Sequence, residues 1–124
     1  MITIDSKSNK PIYEQIIEQV KYNAIKGYLN EGDIIPSVRK LAIELKTTPV
    51  TVAKAYQELE RQKVIETIRG KGTFIAASLK IKPNDDKIEQ AMDNIKSSVI
   101  ELKLMQINKI ELLKLVETIY DELG

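Results

Sequence analysis

The chain has 124 residues, enough for one core of modest size and an appendage. It contains no Cys and no His, which excludes a disulfide, a His or Cys metal site and any Cys or His nucleophile. The formal net charge is only +1, but residues 1–77 carry twelve basic and nine acidic side chains and residues 78–124 carry seven and nine, so only the first part has the sign suited to a polyanion.

Read in chain order, "ITI" near the start alternates like a short strand and is followed by a polar link. Pro11 suits the first turn of a helix. From there Ile12, Ile16, Val20 and Ala24, with Ile17 alongside, paint one apolar face as far as about Gly27. "GYLNEGDIIPS" reads as a connection, with Gly32-Asp33 as turn and Pro36 as breaker. Ser37 is a good N-cap for a short helix whose inward face is Val38, Leu41, Ala42 and Leu45. Thr48 and Pro49 repeat the start signal, and the next helix buries Val52, Ala55, Tyr56 and Leu59 while turning Val50, Lys54, Gln57 and Arg61 outward. The period then becomes two-fold: "VIETIR" and "TFIAA" flank Gly70-Lys71-Gly72 as a hairpin. Helix, helix, helix, hairpin is the order of a winged helix-turn-helix.

"SLKIKPNDD" is a polar connector, which places a domain boundary between residues 77 and 78. Beyond it Ile88, Met92, Ile95, Val99 and Leu102 form a seam of coiled-coil spacing. Asn108 and Glu111 resemble a capping box opening a last helix, lined on one side by Ile110, Leu113, Val116, Ile119 or Tyr120, and Leu123. Two such helices hold too many large apolar side chains to satisfy only each other, so the tail is expected to close against a second copy. The expected fold is therefore mainly α with a small β-hairpin: a winged helix-turn-helix over 1–77 and a two-helix dimerisation tail over 78–124. No apolar run approaches the ~18 residues of a membrane span and no export leader precedes the first helix, so a cytoplasmic protein without membrane association is expected.

The chemistry of binding points to DNA. A helix fits the major groove of B-DNA with its first turn toward base edges, while the preceding helix braces it across the backbone. Here that first turn is Pro49, Val50, Thr51, Ala53 and Lys54, with Thr48 and Arg39 beside it. An outward Val50 suits a thymine methyl. A basic tip after such a unit, Arg69-Gly70-Lys71-Gly72, suits the phosphate backbone or the adjacent minor groove, and its glycines let the main chain approach closely. "GKGT" is not a nucleotide-binding phosphate loop, because Gly follows Lys71 and Glu66 stands where that loop needs glycine. Carboxylates such as Asp85-Asp86 and Glu58-Glu60 have no oxyanion or metal partner in view, so no catalysis and no cofactor are expected.

Through "PIYEQI", "GD", "PSVRKLA", "TVAKAYQELE" and "RGKGTF", the stretch Pro11 to Phe74 resembles the DNA-binding domain of the GntR family of bacterial transcription regulators. The resemblance implies a winged helix that binds an inverted-repeat DNA operator as a homodimer, more often as a repressor than as an activator. The short tail resembles that of the YtrA subfamily, in which it serves dimerisation. By resemblance, Arg39 contacts DNA from the start of the bracing helix, Thr48 and Thr51 from the recognition-helix start, and Arg69 to Gly72 from the wing. Ser37, Lys40, Pro49, Val50 and Lys54 complete the expected interface.

Four departures from the family pattern matter. Ala53 stands where many relatives have a base-reading arginine, and Lys40 where Glu is usual. Lys46 and Lys63 replace glycines, at a cost if those backbones need positive φ. Neither operator sequence nor effector is legible in the chain. The alternative of another class is a protein-interaction module whose winged helix has lost specific DNA binding.

Overall fold

The computed structural model describes residues 2–77 and 84–124. The chain falls into two compact units, Met1–Ile81 and Lys82–Gly124. Most of the connector, residues 78–83, with the far side of the boundary expected at 77/78, lies outside the described residues. Among the described residues no helix is long and apolar enough to cross a membrane.

In the first unit, α1 (Ile12–Lys26) starts one residue later than expected: Pro11 is its N-cap, with extended ψ of 149°. Ile16 and Val20 on its inner face are fully buried, and Ile12 and Ile17 pack at the rim of the same core. "ITI" is not a strand. Its main chain is satisfied by side chains of α1 instead: Thr3 N–H donates to Gln19 Oε1 at 2.8 Å and Asp5 N–H to Gln15 Oε1 at 2.9 Å. Gln15 also donates to the carbonyls of Asp5 and Lys10 at 3.2 and 3.0 Å, and Gln19 to that of Thr3. A buried amide that spends its donors and its acceptor this way does the work of a strand partner.

The connection after α1 holds a strand that its sequence did not announce. β1 (Ile34–Ile35) pairs antiparallel with β3 (Gly72–Ile75), which pairs in turn with β2 (Ile65–Ile68), giving the order β1-β3-β2. The expected hairpin is thus a three-stranded sheet. Alternation sends Ile35, Ile65 and Ile75 into the core and leaves Ile34 and Ile68 exposed on the outer face.

Helices α2 (Val38–Leu45) and α3 (Pro49–Arg61) form the helix-turn-helix. Leu41 and Ala42 of α2 and Val52, Ala55, Tyr56 and Leu59 of α3 are buried, as the periodicity requires, with Val38 and Leu45 packed at the edge of the same cluster. Tyr56 does more than fill space, since its hydroxyl donates to the Pro36 carbonyl at 2.7 Å. Pro36 joins β1 to α2, so a single bond fastens α3 to the residue from which both the sheet edge and the bracing helix depart.

In the second unit, α4 (Asp85–Leu104) and α5 (Lys109–Leu123) are capped by Asn84 and Asn108, whose side chains accept from the N–H groups of Lys87 and Glu111 at 3.2 and 2.9 Å. The two helices do not pack against each other along their lengths. Neither buries a single residue.

Candidate nucleic-acid interface

Both helix starts of the helix-turn-helix are pinned by their own caps. Ser37 Oγ accepts from Lys40 N–H at 3.2 Å, and Thr48 Oγ1 accepts from Thr51 N–H at 3.3 Å while lying 3.0 Å from Thr51 Oγ1. These bonds fix the first turns that carry Arg39 and Lys40 on α2, and Pro49, Val50 and Thr51 on α3. Arg39, Lys40, Thr48, Pro49, Val50 and Lys54 are exposed, and Thr51 is half-buried. Val50 is 78% exposed, so an apolar side chain at the start of a helix faces outward with nothing of its own chain to cover it.

The turn between β2 and β3 is Arg69-Gly70-Lys71, closed by Lys71 N–H donating to the Ile68 carbonyl at 2.9 Å. Gly70 has φ of 79° with open space around it, so backbone conformation rather than room calls for glycine there. At Gly72 φ is 127°, and a Cβ would lie 3.5 Å from Ile34 Cδ1. The tip is therefore held against β1 at its base, while the Arg69 and Lys71 side chains stand in solvent.

Electrostatics separate these cations from their neighbours. On α3, Arg61 donates to Glu58 through both Nε, at 2.9 Å, and Nη2, and Gln62 Nε2 donates to the same carboxylate at 2.6 Å. Those hydrogen bonds, from Arg61 first and then Gln62, hold the Glu58 carboxyl down at about 2. Lys10 is paired with Glu18 at 2.6 Å. By contrast, among the described residues Arg39, Lys40, Lys54, Arg69 and Lys71 are in salt bridges with no carboxylate. Lys54 has a different partner, its Nζ lying 3.9 Å from the centroid of the Tyr13 ring on α1.

Lys46 and Lys63 occupy left-handed backbone, with φ of 55° and 62°. Lys46 caps α2, its N–H donating to Ile43 O at 3.2 Å, and Lys63 follows α3, its N–H donating to Glu60 O at 3.0 Å. These are helix ends of the kind that glycine serves best. Lys46→Gly and Lys63→Gly are each expected to raise unfolding stability by about 1 kcal/mol, measured as a shift in the urea midpoint at constant slope.

In the second unit, Ile95, Val99 and Leu102 of α4 and Leu112, Leu115, Val116 and Ile119 of α5 line an open, largely apolar groove of about 410 Å³. Of the expected seam, Ile95, Val99, Leu102 and Val116 come together here, whereas Ile88, Met92, Ile110, Leu113 and Leu123 do not line the groove. Leu112 and Leu115 were missed, because which face of α5 turns toward α4 depends on the bend at Gln106, where φ is 65°.

Residues 12–75 match the model of the bacterial regulatory proteins, gntR family. The chain belongs to the GntR family. A GntR relative, the HTH-type transcriptional repressor YtrA of Bacillus subtilis (strain 168), is 46% identical over 101 residues, covering 82% of this chain and 78% of that protein. The crystal structure of a transcriptional antiterminator from Listeria monocytogenes EGD-e has a TM-score of 0.90 and 42% identity, covering all of this chain and 93% of that one. At 25% identity and a TM-score of 0.52, the AraR DNA-binding domain in complex with operator ORE1 matches 61% of this chain and 93% of that one. The likeness to YtrA-type GntR proteins thus extends beyond the winged helix into the tail.

Proposed function

We propose that this GntR protein is a sequence-specific DNA-binding transcription regulator, acting as a repressor in the cytoplasm, and that it binds an inverted-repeat operator as a homodimer without catalysing a reaction. One observation carries the reading: the cations of the α2 start and the wing are exposed and free of carboxylate partners among the described residues, and they are mounted on capped or hydrogen-bonded turns. Such charges suit phosphates, whose release of counterions supplies much of the affinity of a DNA-binding protein. A repressor at 46% identity supports the sign of regulation, and a neighbour solved on its operator supports the mode of docking.

The division of labour follows from chemistry. Arg69, Lys71 and Lys40 meet phosphates or the minor groove, while Arg39, Val50 and Thr51 lie nearest the bases; Ser37, Thr48 and Pro49 set the helix starts, and Gly70 and Gly72 shape the wing. The apolar groove of α4 and α5 receives the same groove of a second copy, since a symmetric pair covers surface that one chain leaves in water. Two recognition helices then fall about 34 Å apart, or a multiple of it, along the duplex.

Titrating labelled duplexes over a salt series tests this. Lys71→Ala is expected to weaken every duplex alike and to flatten the logarithmic salt slope by about 0.9. Val50→Ala is expected to leave the slope in place and to change the ranking of operators by roughly tenfold at a thymine position. Failure of the unaltered protein to prefer any duplex over random competitor would favour the interaction-module reading.

A further inference from the structure

Lys54 lies beyond the capped first turn of α3, and its surroundings are unusual for a surface lysine. The open groove between α1 and α3 that it borders also contains Glu14 and Glu58. Neither carboxylate pairs with it. Glu58 is taken by Arg61 and Gln62, and Glu14 lies 3.3 Å from the Tyr13 hydroxyl that donates to it. The ammonium sits instead over the Tyr13 ring. Tyr13 is itself packed against the core and half-buried, so the ring is a fixed platform.

The difference between the two kinds of partner matters for a polyanion. A salt bridge to Glu14 or Glu58 would cancel the positive charge presented outward. An aromatic face attracts the same cation through its quadrupole and leaves the charge whole. It also restrains a long, flexible side chain before any phosphate arrives, which lessens the ordering that binding must supply.

We infer that Tyr13 is a positioning residue for Lys54, holding its ammonium at the α1–α3 edge as an unneutralised cation for a duplex phosphate and leaving base reading to the first turn of α3. The inference rests on the DNA-binding reading above. Lys54 thereby contributes to affinity on all sequences rather than to preference among them.

The experiment is a double-mutant cycle between positions 13 and 54, read by duplex affinity and salt slope, with Lys71→Ala in parallel. Lys54→Ala is expected to weaken all duplexes roughly three- to tenfold and to reduce the slope by about 0.9. Tyr13→Leu should do most of the same and should do nothing further in the Lys54→Ala background, whereas Tyr13→Phe, which keeps the ring, should bind as the unaltered protein does. The ring-current shift of the Lys54 ε-methylene protons in NMR should persist in Tyr13→Phe and vanish in Tyr13→Leu; Tm reports whether the fold is intact. Equal losses from Tyr13→Leu with and without Lys54, or a ring-current shift absent from the unaltered protein, would overturn the inference. A Lys71→Ala effect alongside no effect at positions 13 and 54 sinks the inference alone. No duplex binding by any form sinks both.

Discussion

Val99→Asp combined with Val116→Asp is expected to turn the proposed dimer into a monomer and to lower affinity for a two-half-site operator by roughly 10²–10⁴-fold. Both valines line the groove between α4 and α5, so pairing of two grooves would bury four added carboxylates with nothing to neutralise them. In the isolated chain the same positions remain in water, and neither helix buries a residue that the change would disturb. Binding to a single half-site should therefore survive. Sedimentation equilibrium reads the mass, and paired titrations on whole and half operators read the avidity. A variant that stays dimeric, or one that loses half-site and whole-operator binding equally, would show that the groove is not what joins the copies.

Tyr56→Phe has the largest expected effect on the stability of the first unit. Removing the hydroxyl strands the Pro36 carbonyl, which now accepts from it at 2.7 Å, at a cost of roughly 1–3 kcal/mol. Because Pro36 links the sheet edge to α2, the loss should also loosen the placement of the two helix starts and lower duplex affinity beyond what Tm alone predicts. The unaltered protein carries the corresponding pH signature. Burial first, and the Glu44 charge second, push the Tyr56 hydroxyl above the ordinary tyrosine value. The folded state thus keeps its proton where the unfolded chain gives it up, so this contribution is complete below about pH 10 and declines as pH rises further. Urea melts between pH 8 and 11 should show a steeper alkaline loss for the unaltered protein than for Tyr56→Phe.

How far the sequence could be read follows from how local each signal is. The helix-turn-helix was legible because Ser37 and Thr48-Pro49 mark starts and Val52, Ala55, Tyr56 and Leu59 keep a single helical phase. β1 was not, since two isoleucines carry no period and their partners, Thr73 and Phe74, lie some forty residues on. "ITI" alternates like a strand, yet alternation cannot reveal that Gln15 and Gln19 will meet its backbone. Among the expected interface residues, the caps and the wing turn were readable from residue type alone. Lys54 was placed outward correctly, but its contact with Tyr13 joins two helices more than forty positions apart and leaves no local trace. The groove of the second unit was half-legible for a related reason, because seam spacing names a face on each helix but not the angle at which two faces meet.

The segment ahead of α1 borrows its backbone partners from two glutamine side chains, and this gives it a distinctive exchange behaviour in deuterated solvent. The amides of Thr3 and Asp5 should be slower than those of Lys7 and Lys10, which donate to side chains of their own exposed loop, and Gln19→Ala should release Thr3 while sparing Asp5. A chain terminus that would ordinarily fray is thereby fastened residue by residue, and each fastening can be undone on its own.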